Sequence, residues 1–300
     1  TRLSLGLRRT TDEFTSKQDN FISILMPAPV IAAQTCDREV VTEYSSTTSR
    51  AVIQHDLTSG SNVYASLSEG FKAGGYATYE CTEPYDPEEV TSLEFGYKGS
   101  LGENTSLNAS LFRYDYTDFQ VLQVVGIQTV TRNAGDATVN GLELEALSNL
   151  NDSLSMSYGL TLLDATYGEF LNTNGLEPQL GQQQLEGKYL NNAPKVSVNL
   201  GLNYTTNLSS GSSLTYRANA AYKSKIYFSE FNEYSQSAYT IVDLNLIWES
   251  ADDRMRTRFY VKNATDEEYI SGYLSSATGG GRFGQWGYPR TAGIEIQRNF

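Results

Sequence analysis

Histidine is almost missing from this chain. Its 300 residues include one, His55, so His-pair metal sites are removed, and with no serine paired to it there is no support for a Ser-His hydrolase. His55 stands at a strand end beside a turn, where a surface or interface role is the plain reading. Cations are scarce too, with 22 Lys and Arg against 35 Asp and Glu for a net charge of -13. Phosphate backbones need clustered Lys and Arg, so a nucleic-acid partner is excluded. No run of about 18 apolar residues occurs, which excludes a helical membrane span but not a β-barrel. There are only two cysteines, Cys36 and Cys81, both in polar, loop-like stretches. A disulfide between them and two separate thiols are both open readings, because spacing alone fixes neither. Secretory-signal character is absent at the start, where Thr1, Arg2 and Leu3 already alternate, so the chain reads as a mature protein or a piece of one.

Motifs for chemistry are equally thin. Gly279 to Gly284 (Gly-Gly-Gly-Arg-Phe-Gly) is rich in glycine but lacks the Lys and Ser or Thr of a phosphate loop, so a mobile loop is expected. Asp86, Glu88 and Glu89 lack the spacing of a calcium loop, and a solvated loop base is expected there. No metal or cofactor is implied, and the chain is not expected to be an enzyme.

Alternation is abundant. Leu3, Leu5 and Leu7 alternate with polar or small neighbours, as do Leu93, Phe95 and Tyr97; Leu154 to Leu162; Val196 to Tyr204; Leu214 to Tyr222; Val242 to Trp248; and Ile294 and Ile296 towards Phe300. Apolarity on every second residue marks a strand with one dry face. Several runs reach nine or more residues, the length a tilted strand needs to cross a bilayer. Tyrosine outnumbers phenylalanine, 21 to 12, which suits rings at a membrane interface. About twelve strands are expected, at roughly 1-11, 44-57, 62-75, 88-100, 104-120, 127-148, 153-168, 189-206, 213-228, 237-250, 255-264 and 285-300.

Connections alternate in length. Short turns at Thr58 to Asn62, Ser100 to Asn104, Asn149 to Ser153, Asn207 to Ser213 and Ser250 to Arg254 separate longer links at Thr11 to Thr42, Ala77 to Pro87, Gly168 to Tyr189, Ser229 to Ser237 and Asp266 to Gly284. That asymmetry belongs to outer-membrane barrels, whose short ends face the periplasm. Two places break phase. Phe112, Tyr114 and Tyr116 switch faces relative to Leu107, Ala109 and Leu111, and Glu69 falls in the outward phase; a bulge or emergence above the lipid would account for either.

Val63 to Tyr76, with its Gly-Phe-Lys-Ala-Gly-Gly close, resembles the barrel motif of TonB-dependent outer-membrane receptors. Glu88 to Tyr97 and Asn133 to Glu145 resemble the strands that follow it. Val261 to Tyr269, then Gly287-Tyr-Pro-Arg-Thr-Ala-Gly293 and a terminal Phe, is similar to the family's closing hairpin. The resemblance implies an all-β, transmembrane antiparallel barrel domain over 1-300, supplying about twelve of 22 strands, with a plug domain outside this chain. It implies a Gram-negative outer-membrane receptor of the siderophore type that imports a ferric siderophore or another scarce nutrient, driven by the TonB complex through the plug. Phe300 resembles the terminal aromatic that barrel-assembly machinery recognises, and Pro289 is expected to open the last strand. Ligand contact is expected from outer-loop aromatics and a cation: Tyr76, Tyr79, Tyr85, Tyr227, Phe228, Phe231, Tyr234, Arg282 and Trp286, with Phe283 beside them. Inward Arg217, Lys223, Arg256, Arg258 and Lys262 are expected to face acids of neighbouring strands or of the plug. A self-contained passive porin or adhesin barrel is the alternative, and a soluble all-β protein a third reading.

Overall fold

The computed structural model describes residues 1–18, 38–58, 60–76, 84–125, 128–133, 135–276 and 281–300. In chain order the strands are β1 (Arg2–Gln18), β2 (Arg38–Thr58), β3 (Ser61–Lys72), β4 (Glu88–Leu101), β5 (Thr105–Thr117), β6 (Gln120–Val125), β7 (Gln128–Asn133), β8 (Ala137–Asn151), β9 (Leu154–Tyr167) and β10 (Leu171–Thr173). They continue as β11 (Gln182–Gln184), β12 (Val196–Asn207), β13 (Ser213–Lys223), β14 (Ile226–Tyr227), β15 (Ser235–Gln236), β16 (Tyr239–Glu249), β17 (Met255–Lys262), β18 (Ile270–Ser276), β19 (Gly281–Trp286) and β20 (Thr291–Arg298). A single 12-stranded antiparallel sheet forms the wall, in the order β1-β2-β3-β4-β5-β8-β9-β12-β13-β16-β17-β20. The remaining strands pair in twos: β6 with β7, β10 with β11, β14 with β15 and β18 with β19. Every interior strand of the wall has neighbours on both sides, the condition lipid imposes on backbone amides. β1 and β20 each keep one open edge and do not pair with each other.

Cross-strand register shows why the alternation matters. One row of partners runs Leu3, Ile53, Ala65, Phe95, Leu111, Leu142, Leu162 and Val196, and a lower one Leu202, Ala218, Leu244, Val261 and Ala292. The large side chains of these rows stand open on the outer face, with Leu111 at 58% and Leu244 at 44% exposure. In water such a continuous apolar face would be untenable for a monomer; in a bilayer it is the solvated side. Near the short turns the outward positions become aromatic: Tyr97, Tyr158, Tyr204, Tyr216 and Trp248. That is an interfacial girdle.

The inner face is polar and close-fitted. Tyr64 donates to Glu94, and Lys98 lies 5.3 Å from the Tyr64 ring centroid. Rings lie flat over cross-strand glycines here: a Cβ on Gly141 would stand 2.2 Å from the Phe112 ring, and one on Gly96 2.4 Å from that of Tyr64. Of the inward cations, Arg258 meets Glu295 at 3.4 Å and Arg256 meets Glu249 at 3.4 Å, while Arg217 lies opposite Asn203 and Asn245.

Both phase breaks occur in unbroken register, so neither is a bulge. Phe112 and Tyr114 face inward and stack at 4.7 Å, beginning an aromatic lining at the mouth. Glu69 accepts from the Ser49 amide at 2.9 Å and its hydroxyl at 2.8 Å, above the apolar rows.

Strand limits differ from the sequence expectation at the long-loop end. Pairing of β1 with β2 continues to Gln18 and Arg38, into the expected Thr11 to Thr42 connection. The expected strand 127-148 is instead the second arm of the β6–β7 hairpin followed by β8, and strand 189-206 begins only at Val196. The Asp266 to Gly284 connection contains β18 and part of β19; of the run Gly279 to Gly284 expected as a loop, Gly281 to Gly284 are paired strand, and Gly279 and Gly280 lie outside the described residues. Beyond the lipid both faces of a strand meet water, and ladders persist without a period of two. Pro289 lies two residues before β20, which starts at Thr291.

Candidate functional site

The described parts of the long connections meet at one end of the wall. Their core is Tyr167, Phe170, Leu185 and Phe231, with Phe119, Val121 and Leu190 against it, and Leu185 is fully buried. Tyr167 is an inward residue of β9, so this core sits inside the mouth. An edge-to-face aromatic series links it to the wall, from Tyr116 through Phe119 at 5.4 Å to Tyr167 at 6.3 Å.

Polar clamps join the β9–β12 and β13–β16 connections. The Asn172 amide donates to Glu230 at 3.1 Å and that of Asn174 to Glu233 at 3.1 Å. Lys188 donates to the Phe231 carbonyl at 2.8 Å, while Asn232 exchanges bonds with the Tyr189 backbone at 2.8 and 2.9 Å. Asn232 has φ +57°, which Asn tolerates better than branched residues. Burial pushes the Glu230 carboxyl above its ordinary value, and the nearby Glu233 adds to the shift.

A third connection completes the site. Tyr273 on β18 stacks with Phe228 at 5.6 Å and with Tyr234 at 5.3 Å, with interplanar angles of 15° and 16°. The Arg282 guanidinium lies 4.1 Å from the Tyr234 ring centroid and 3.3 Å from the Glu177 carboxylate. Three near-parallel rings and a guanidinium with unused donors offer planar stacking and anion pairing together. Burial raises the Tyr273 hydroxyl pKa, and the nearby Arg282 works against that shift.

The expected residues divide accordingly. Phe228, Tyr234 and Arg282 come together, whereas Phe231 is committed to the buried core. Tyr227 belongs to a separate stack with Tyr189, and Trp286 stands 66% exposed at the end of β19. Tyr76 is buried, and Tyr85 pairs its backbone with Gly75 while its carbonyl accepts from the Tyr44 hydroxyl at 2.8 Å. Tyr79, Cys36 and Cys81 lie outside the described residues. Phe300 is fully open, with Arg298 5.3 Å from its ring.

The acidic group at Asp86 and Glu88 anchors a loop. The Gln120 side chain donates to the Asp86 carbonyl at 3.1 Å, and its amide to the Glu88 carboxylate at 2.7 Å. Among the described residues no cluster of ligating side chains could hold a metal ion. His55 meets the Thr1 hydroxyl at 2.8 Å at the short-turn end. Sequence reading missed Tyr273 and Glu177; the apolar and aromatic residues Ile270, Tyr273 and Leu274, followed by glycines and Arg282-Phe-Gly-Gln-Trp286, were the available hairpin signal.

The closing motif has a structural reason. Asn263, at φ +48°, donates its side-chain amide to the Glu267 and Tyr288 carbonyls at 2.9 and 3.1 Å, and the Asp266 carboxylate accepts from the Arg290 amide at 2.8 Å. Those bonds tie the start and end of the β17–β20 connection together.

Residues 1–264 match the family model described as TonB dependent receptor-like, beta-barrel. The Ferrioxamine B receptor of Salmonella typhimurium is 23% identical over 226 residues, 74% of this chain and 30% of that protein. The ferric yersiniabactin uptake receptor of Yersinia pestis superposes with a TM-score of 0.79 at 20% identity, over 99% of this chain and 43% of that one. The copper transporter OprC gives a TM-score of 0.70 at 16% identity, over 99% of this chain and 45% of that one. This chain thus spans less than half the length of these proteins. Members of the matched family are transporters rather than enzymes. With its apolar outer face, polar lumen and looped mouth, the chain belongs to the TonB-dependent receptor β-barrel family of the Gram-negative outer membrane.

Proposed function

We propose that residues 1-300 are the C-terminal part of the barrel domain of an active outer-membrane importer. Its cargo is a ferric siderophore, and its energy comes from the TonB complex through a plug domain outside this chain. The family match and the receptor names of the relatives support this reading. Its chief support here is the Phe228–Tyr273–Tyr234 stack with Arg282, which suits a flat, anionic aromatic chelate. Fold alone does not choose the cargo, since a copper transporter shares it. The open Phe300 is available to barrel-assembly machinery.

Uptake by cells carrying the full-length receptor tests the proposal, using iron-55 on hydroxamate, catecholate and phenolate chelators, and copper in parallel. Saturable uptake of one ferric chelate that a protonophore abolishes and Tyr234→Ala weakens is the expected result. Protonophore-insensitive passage of small solutes would show a passive porin instead, and copper uptake alone would refute the siderophore assignment.

A further inference from the structure

Just above the apolar rows, the outer face carries a feature the import reading does not use. Tyr189 pairs with Thr166, two residues beyond Asp164 and four beyond Leu162 on the outward phase of β9, so its ring belongs to the lipid side of the wall. The Tyr227 ring lies parallel to it, with centroids 6.0 Å apart at 8°. Lysines cover both rings: Lys195 Nζ is 4.1 Å from the Tyr189 centroid and Lys225 Nζ 4.5 Å from that of Tyr227. Lys195 directly precedes Val196, partner of Leu162 in the top apolar row, and Lys225 follows shortly after lipid-facing Tyr222.

Both lysines are exposed, and neither has an ion-pair partner among the described residues. Lys195 spends one donor on the Tyr189 hydroxyl, which raises its pKa. Asp164, on the same face, is the nearby acid and interacts with Lys195 without an ion-pair contact. Each ammonium keeps donors for an incoming oxygen. On a chain of net charge -13, two cations at the rim of the apolar belt, seated on interfacial tyrosines, are a local reversal of sign.

We propose that Lys195, Lys225, Tyr189 and Tyr227 form a binding site for the phosphate of an anionic lipid in the outer leaflet. The acyl chains would run down the outward Leu162 and Val196 side of the wall while the phosphate bridges the two ammonium groups. The proposal rests on the outer-membrane placement of the chain and not on its cargo.

Native mass spectrometry and lipid titration of the full-length receptor in detergent test it. The probes are diphosphorylated lipid A, its dephosphorylated form and inorganic phosphate. Lipid A is expected to bind the native protein at least tenfold more tightly than its dephosphorylated form. Lys195→Gln with Lys225→Gln should lower that affinity about tenfold or more, in keeping with two cations at a charged lipid surface. Lys195→Arg with Lys225→Arg should retain binding, and Lys98→Gln on the inner face should change nothing. Equal affinity for the dephosphorylated lipid, an unaffected double Gln variant, or equally tight free phosphate would overturn the proposal. Because the readout is lipid binding, failure of siderophore uptake leaves this result interpretable.

Discussion

The wall and the mouth hold together by different means. In the wall nearly every large apolar side chain points outward and stays open, with Ile296 at 65% exposure, and cohesion comes from an unbroken antiparallel ladder. At the mouth, Tyr167, Phe170, Leu185 and Phe231 bury one another much as a small soluble core does. The wall is thus built for lipid and the mouth for water, and one chain supplies both by changing what surrounds its strands. A substitution of one kind should therefore have opposite consequences in the two regions.

The largest contrast is expected for charge on the wall. Leu160→Arg, facing lipid, should cost about 2–4 kcal/mol and deplete assembled receptor, whereas Thr161→Lys, inward beside Glu143, should cost under about 1 kcal/mol. Urea unfolding of reconstituted protein measures both. Next comes a cavity at the mouth. Phe231→Ala should cost about 3–4 kcal/mol locally, and hydrogen exchange should rise across 168–195 and 224–238 while the wall keeps its protection. Loss of protection throughout would mean that the wall depends on the mouth.

Glu230 sharpens the comparison with pH. Its folded pKa is raised above the unfolded value, so the folded state binds the proton more tightly. Loop stability should be greatest with the carboxyl protonated and decline as pH rises from the usual carboxylate range through the raised value. Glu230→Gln can still accept from Asn172 and should flatten that profile, read by exchange at 168–195 across pH. Smallest is Arg282→Lys. It loses the planar fork towards Glu177 in a partly exposed pair, worth less than about 1 kcal/mol to stability. If Arg282 instead contacts the chelate, ligand affinity should fall further than loop stability does.

How much of this was readable from residues depended on the solvent. Where one face met lipid, as in Val196 to Tyr204, the alternation located strand, phase and outer face correctly, and the five short turns stand where their Gly, Asn, Asp and Ser content put them. Above the lipid the ladders were hidden: Gln120–Val125, Gln128–Asn133 and Ile270–Ser276 are strands whose sequences carry no sustained period of two. Phe112 and Tyr114 looked like a register fault because aromatic residues on the inner face imitate an outward phase. Of the site, the aromatic and Arg282 content of the loops was legible. Which rings would stack and which, like Phe231, would be buried depends on how three connections meet, and no local signal carries that.

The central claim is that outward residues of the wall face lipid and inward ones water. A nitroxide scan along Val196 to Thr205 in the full-length receptor, reconstituted in bilayers, tests it most directly by comparing collisions with oxygen and with a water-soluble nickel chelate. The account predicts a strict period of two, with oxygen dominant at Val198, Leu200, Leu202 and Tyr204 and nickel at Ser197, Asn199, Gly201 and Asn203. Nickel access at both phases would contradict it.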